Sequence, residues 1–130
     1  MFLAGKYYVG DLCYVDKLSA RWDRVYEQMF PRKLGGCTDQ PGLHEIDGMK
    51  YWYHRTAYGD GCYEDLYSGL TFPVDAGIIG VCSAEDALEA GFYGGHIVEF
   101  ADDFEPYYED GVFHIGHLTI DTICSENEDN

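Results

Sequence analysis

Three aspartates stand beside glycine in segments that read as loops, and they are the residues of this chain best suited to chemistry. They are Asp11 in Gly10-Asp11, Asp60 in Gly59-Asp60-Gly61 and Asp75 in Asp75-Ala76-Gly77. Binding and catalytic residues concentrate on loops that a rigid scaffold positions. If the loops meet, the carboxylates could coordinate Mg²⁺ or Ca²⁺, or divide into an acid and a base. Asp beside Gly is also ordinary turn chemistry, so the pattern supports either interpretation.

Cys13 follows Asp11 by two residues and is the candidate nucleophile if the chain is an enzyme. A nucleophilic thiol needs nearby positive charge, and this chain has few basic residues. His114 and His117 are three residues apart, a spacing that points to opposite faces of a strand, so we predict no metal site and no cofactor. We therefore expect a protein that is not an enzyme. The alternative hypothesis is a small hydrolase or metal-dependent enzyme that uses Asp11, Asp60, Asp75 and Cys13.

Charge is distributed very unevenly along the 130 residues. All eight Lys and Arg residues lie at or before Arg55, where seven of the 24 acidic residues also lie. The remaining 17 acidic residues follow Arg55, and no Lys or Arg accompanies them. Direct binding to the phosphates of a nucleic acid needs a basic surface, and so does binding to an anionic membrane. The acidic balance of the chain therefore excludes both of these functions.

The acidic half predicts a basic partner. We expect a binding or accessory protein that docks this half on a basic protein surface, including that of a nucleic-acid-binding protein. A merely solvated acidic face would produce the same charge pattern, and that alternative stays open. The predicted binding residues are Tyr58, Asp60, Glu99, Asp102, Asp103, Glu105, Glu109 and Asp110.

Tyrosine supplies 12 of the 21 aromatic residues, and this excess suggests a second hypothesis for binding. Because a tyrosine combines a large ring with a polar tip, it suits the rim of a cleft. A nucleotide-like small ligand could then be bound by a cluster of tyrosines. The cluster consists of Tyr8, Tyr51, Tyr53, Tyr58 and Tyr63.

The pattern of elements predicts an α+β fold with a curved, mainly antiparallel sheet of about eight strands and two short helices. Ser19 and Ser83 are candidate N-caps of the helices, the second running from Ala84 to Ala90. Asp47-Gly48 and Asp110-Gly111 predict two hairpin turns. Leu12 to Val15 reads as a strand, and residues 58–63 read as a loop.

The chain reads as one domain over residues 1–124, followed by a disordered acidic tail over residues 125–130. No signal peptide or membrane-length apolar stretch is evident, and the five cysteines form no CxxC pair. These features predict a cytoplasmic protein with reduced thiols. The oligomeric state is left open by the sequence.

Three motifs resemble a set of small uncharacterised proteins from phage, viral and bacterial genomes. They are the run from Tyr7 to Val15 (YYVGDLCYV), the run from Thr56 to Gly61 (TAYGDG) and the run from Val74 to Gly80 (VDAGIIG). The resemblance covers most of the chain and implies no activity for any residue. It implies a viral or phage setting, in the host cytoplasm, in which an acidic protein would antagonise a host defence protein.

Overall fold

The computed structural model describes residues 2–15, 41–46, 49–57, 59–74, 77–92 and 94–123. These residues form short strands, one seven-residue helix and a single 3₁₀ turn over Leu12–Tyr14. The elements are β1 (Gly5–Gly10), β2 (Gly42–Ile46), β3 (Met49–Arg55), β4 (Gly61–Asp65), β5 (Thr71–Val74), β6 (Ile78–Ser83), α1 (Ala84–Ala90), β7 (His96–Phe100), β8 (Tyr107–Glu109), β9 (Val112–Ile115) and β10 (Leu118–Asp121).

The strands divide into two antiparallel sheets of five strands each. The first sheet has the order β2-β3-β6-β1-β7, and the second has the order β5-β4-β10-β9-β8. In the second sheet β8, β9 and β10 form a meander, and β4 with β5 forms a hairpin that extends it. Fully buried positions alternate with partly buried ones along β9 and β10 and with exposed Glu64 on β4, so one face of this sheet is packed and the other is more open to solvent.

The first sheet is buried on both faces because its central strands are apolar on both sides. Val9, Trp52 and Val81 pack towards the second sheet, in a cluster that also contains Phe72, Phe113 and Ile120. The opposite face belongs to a second apolar cluster, which α1 joins through Ala87 and the 3₁₀ turn joins through Leu12. Its buried members are Tyr8, Leu12, Val15, Tyr51, Tyr53, Ile78, Cys82 and Ala87. Burial of each large apolar side chain contributes about 1.5–3 kcal/mol, so these two clusters hold the layers together.

The fold class is compatible with α+β and mainly antiparallel, but the predicted single sheet of about eight strands is wrong. Ten short strands in two sheets are present in the described ranges. The predicted loop over residues 58–63 is wrong from Gly61 onwards, where β4 begins, and along this strand Tyr63 and Asp65 are buried while Glu64 is exposed. The predicted strand over Leu12 to Val15 is a 3₁₀ turn, in which the Val15 amide donates to the Leu12 carbonyl at 3.2 Å.

Several other predicted features agree with the structure. Helix α1 spans Ala84–Ala90, and the Ser83 hydroxyl accepts the Glu85 amide at 3.1 Å as the N-cap. The Asp110-Gly111 hairpin joins β8 to β9, as predicted. The predicted helix after Ser19, the Asp47-Gly48 turn and the tail lie outside the described residues, and the domain boundaries stay a prediction.

The Asp110-Gly111 turn requires a left-handed backbone at both central residues. Asp110 has φ 51° and Gly111 has φ 86°, the combination that a two-residue hairpin turn of matching twist demands. The Gly111 carbonyl accepts both the Thr122 amide, at 2.9 Å, and the Thr122 hydroxyl. The turn is therefore fixed to the end of β10 as well as to its own strands.

We expect Asp110→Val to destabilise the fold, because a β-branched side chain is disfavoured at positive φ. The free energy of unfolding should fall by about 1–2 kcal/mol. Glu109→Val is the matched control, since it removes the same charge from an exposed strand position beside the turn. Urea unfolding of the two variants measures the difference, and equal stabilities would show that the turn imposes no backbone constraint.

Candidate functional site

A cleft of about 640 Å³ opens where the end of β7 meets the turn between β9 and β10. It therefore lies between the edge strand of the first sheet and a turn of the second. Its residues come from two short stretches of chain. They are Glu99, Phe100, Ala101, Asp102, Asp103, Phe104, Gly116 and His117.

Stacked aromatic rings form the floor of this cleft. The rings of Phe100 and Phe104 are nearly parallel, with centroids 4.0 Å apart, and both side chains are buried. The His117 ring lies 5.0 Å from that of Phe100, and Phe104 also stacks on Phe2 at 5.4 Å. The backbones of Phe2 and Phe104 exchange two hydrogen bonds of 2.8 Å. The floor is therefore rigid and is tied to the amino-terminal segment.

Gly116 lets the β9–β10 turn approach the floor closely. It has φ 58°, and a Cβ atom at this position would lie 2.5 Å from Cδ1 of Phe100. A side chain here would both strain the backbone and push the turn away from the ring. The glycine thus sets the width of the cleft on the His117 side.

Three carboxylates surround the opening of the cleft. Glu99, Asp102 and Asp103 are all exposed, and Asp103 is held in place because its Oδ1 accepts the Ala4 amide at 2.7 Å. No Lys or Arg is among the residues that line the cleft. A rigid apolar floor beneath carboxylates suits a cationic side chain whose stem is apolar, as in Arg or Lys.

A buried carboxylate fixes the chain beside the cleft. Asp65, at the end of β4, is 1% exposed. Its Oδ2 accepts the amide of Ser68 at 2.7 Å and the hydroxyl of Ser68 at 2.6 Å, while its Oδ1 accepts the Thr119 amide at 2.6 Å. Burial alone would raise the pKa of Asp65, but the hydrogen bonds from Ser68, Thr119 and Tyr67 outweigh it and the pKa is lowered.

The described parts of all three Asp-Gly segments reach the same edge of the first sheet. The pairs Gly10↔Gly80 and Arg55↔Ile78 place the ends of β1 and β3 at the start of β6. The Thr56 amide donates to Gly77 at 3.0 Å and the Thr56 hydroxyl donates to Gly59 at 2.7 Å, which brings the segment around Asp60 to that edge.

The carboxylates of these segments nevertheless lie in different environments. Asp11 is 0% exposed, whereas Asp60 is exposed, and Asp75 lies outside the described residues. No buried polar side-chain atom in the described part of the chain lacks a hydrogen-bond partner, so the burial of Asp11 is compensated. The structure therefore supports a structural role for Asp11. It does not place the Asp11 carboxylate at the surface with that of Asp60.

Within the described ranges no group of three or more His, Cys, Asp or Glu side chains could hold a metal ion. Of the described cysteine side chains, Cys62 is half-buried and Cys82 is buried. The thiol of Cys82 is fully buried, and burial together with the charge of Asp86 raises its pKa, which makes it a poor nucleophile. The side chain of Cys13 is outside the described part.

The predicted acidic binding residues divide among several places. Glu99, Asp102 and Asp103 line the cleft, and Glu105 lines a smaller one of about 200 Å³ beside Trp52 and Pro106. Glu109 and Asp110 lie at the hairpin turn that contacts Thr122. Asp60 follows Gly59, whose Cα lies 3.6 Å from the position that a Cβ of Gly77 would take, and Tyr58 is outside the described residues. Three of the eight residues thus share one site.

The predicted tyrosine cluster is mostly interior. Tyr8, Tyr51, Tyr53 and Tyr63 are each 0–1% exposed. The Tyr8 hydroxyl donates to the Asp11 carbonyl at 2.8 Å and that of Tyr63 donates to the Gly59 carbonyl at 2.9 Å. These four rings stabilise the core and present no surface to a ligand.

Sequence reasoning missed Phe100, Phe104, Gly116 and His117 as parts of a site. Residues 99–105 read Glu-Phe-Ala-Asp-Asp-Phe-Glu, and two phenylalanines that flank paired acids directly after a strand are a signal of a charged cleft with an apolar floor. The charge pattern alone does not separate Asp65 from the other acidic residues after Arg55. Its serine three residues later is the signal of a side-chain-capped turn.

No family model, curated protein or solved structure shows significant similarity to the chain. Within the described ranges, no helix is long and apolar enough to cross a membrane.

The lowered pKa of Asp65 predicts a specific dependence of stability on pH. A carboxyl group whose pKa is lower in the folded state stabilises the fold above its unfolded-state pKa, and this contribution is lost as the pH falls through the folded-state value. We expect Asp65→Asn to reduce the free energy of unfolding by about 1–3 kcal/mol at pH 7. The deficit should begin to shrink below about pH 4, where the carboxyl group of the unfolded chain becomes protonated, and should keep shrinking as the pH falls towards the lower folded-state pKa.

Urea unfolding between pH 7 and pH 3 measures this difference. Glu64→Gln is the control, because Glu64 is the exposed neighbour of Asp65 on β4. A deficit for Asp65→Asn that stays constant down to pH 3 would contradict the assignment of the hydrogen bonds to the ionised carboxylate.

Proposed function

We propose that this chain is a non-enzymatic binding protein that docks the cleft between β7 and the β9–β10 turn on a basic surface of a protein partner. The observation that carries the proposal is the combination of three exposed carboxylates with a rigid aromatic floor in one cleft. Exposed carboxylates alone are compatible with a solvated face. A preformed concave site beneath them favours occupation by a side chain of matching charge.

The charge distribution of the chain supports a basic partner over other ligands. Since residues 56–130 contain 17 acidic residues and no Lys or Arg, attraction to a basic surface acts over a long range and would accelerate association. The partner contributes Arg or Lys side chains to the cleft. The guanidinium of arginine matches a carboxylate through two parallel hydrogen bonds, so arginine is the better candidate.

The proposal includes the narrower role that the motif resemblance implies. Proteins that bind nucleic acids carry basic surfaces. An acidic protein that covers such a surface would antagonise the host protein, and the host cytoplasm is the compartment in which it would act. This narrower role depends on the identity of the partner, whereas the use of the cleft can be tested with a simple basic probe.

The test compares two triple variants that change the net charge equally. The cleft variant is Glu99→Gln with Asp102→Asn and Asp103→Asn. The matched control is Asp60→Asn with Glu109→Gln and Asp110→Asn, which neutralises three of the other predicted binding residues outside the cleft. The probe is a fluorescent twelve-residue peptide in which arginine alternates with serine.

We expect the cleft variant to bind this peptide at least about tenfold more weakly than the wild type, and the control to bind within about threefold of it. Wild-type affinity should fall steeply between 50 and 300 mM salt, since charge pairs are screened. Fluorescence anisotropy measures all three affinities. Equal losses in both triple variants would mean that net charge alone attracts the peptide and would exclude the cleft as the docking site.

A further inference from the structure

The turn between β4 and β5 exposes two consecutive large apolar side chains. Leu66 is 58% exposed and Tyr67 is 81% exposed, the largest fraction among the exposed large hydrophobic residues of the described ranges. Neither belongs to the two apolar clusters that hold the sheets together, whereas Leu70 at the end of the same turn packs on one of them. Leu66 and Tyr67 therefore contribute little to the core.

Several hydrogen bonds fix the backbone of this turn. Besides the bonds that Asp65 accepts, the Asp65 amide donates to the Leu70 carbonyl at 2.9 Å and the Gly69 amide donates to the Asp65 carbonyl at 3.0 Å. Gly69 itself has φ 79°, which closes the turn. An exposed apolar pair on a fixed backbone loses little backbone conformational entropy when a partner covers it.

The turn also lies beside the cleft. The Leu66 amide donates to the Thr119 carbonyl at 2.9 Å, and Thr119 follows the cleft residue His117 by two positions. The Glu64 carboxylate is near the turn as well, since its Oε2 is 3.9 Å from the position that a Cβ of Gly69 would take. Acidic groups thus flank the apolar pair, and a partner that covers it meets both kinds of chemistry.

We infer that Leu66 and Tyr67 form an apolar anchor that packs against apolar side chains flanked by Arg or Lys on the partner protein. Tyrosine is enriched among the residues that carry most of the energy of a protein interface, and charged pairs around such an anchor mainly set orientation and association rate. This inference rests on the proposed function, because it assigns the same basic partner and adds the apolar part of its surface.

The experiment uses two fluorescent twelve-residue peptides that carry the same number of arginines. In one peptide the arginines alternate with leucine, and in the other they alternate with serine. The test variant is Leu66→Ser with Tyr67→Ser. The matched control is Leu88→Ser with Tyr107→Ser, which removes the same residue types from exposed positions on α1 and β8.

The wild type should prefer the leucine peptide to the serine peptide by about tenfold, which is the effect expected of one interface anchor. The control should keep this preference, and the test variant should lose it while still binding both peptides in a salt-dependent way. Circular dichroism should show unchanged folding, because both pairs of side chains are exposed.

Three results would overturn the inference: no preference in the wild type, a preference kept by the test variant, or a preference lost equally in both double variants. Each of these leaves the proposed function standing if the wild type binds the serine peptide in a salt-dependent way that needs the cleft carboxylates. Conversely, a leucine preference that depends on Leu66 and Tyr67, without any effect of salt, would support the anchor and contradict the proposed function.

Discussion

A buried carboxylate in a segment without any basic residue is the constraint on which the candidate binding end of this protein depends. Asp65 is ionisable and 1% exposed, yet no Lys or Arg lies anywhere after Arg55. Its charge is compensated by amide and hydroxyl donors from Ser68 and Thr119. Because those donors belong to the β4–β5 turn and to β10, satisfying the carboxylate fixes both elements. The cost of burying the charge is therefore offset by groups that define the shape of the surface.

The local chemistry of the sequence predicts some elements well and the arrangement of sheets poorly. Ser83 and the Asp110-Gly111 pair are short-range signals, and each specifies its own cap or turn whatever the surroundings. β4 was missed because glycines at its start suggest a loop, while its strand character comes from pairing with β10 and β5. The division into two sheets depends on which strands pair across the chain, and alternation within a strand carries no information about its partners.

The sequence likewise predicts which residue types occur at the candidate site better than it predicts which of them lie together. The acidic polarity of the chain predicts Glu99, Asp102 and Asp103 as binding residues, but it could not separate them from Glu109 or Asp60. Only the stacking of Phe100 on Phe104, and the close approach of Gly116, gathers three of these acids around one cleft. The tyrosines illustrate the reverse case, since four residues with a polar tip lie in the interior of the protein, where the hydroxyls of Tyr8 and Tyr63 donate to backbone carbonyls.

The central claim is that one end of the molecule, formed by the cleft and the β4–β5 turn, docks on a basic surface. The most direct measurement is a map of backbone amide chemical shifts during titration with the arginine–leucine peptide. The account predicts that the shifts concentrate at residues 64–69, 99–104 and 116–119. Shifts that are spread evenly over all exposed acidic residues, or that centre on Asp60 and Asp110, would contradict it.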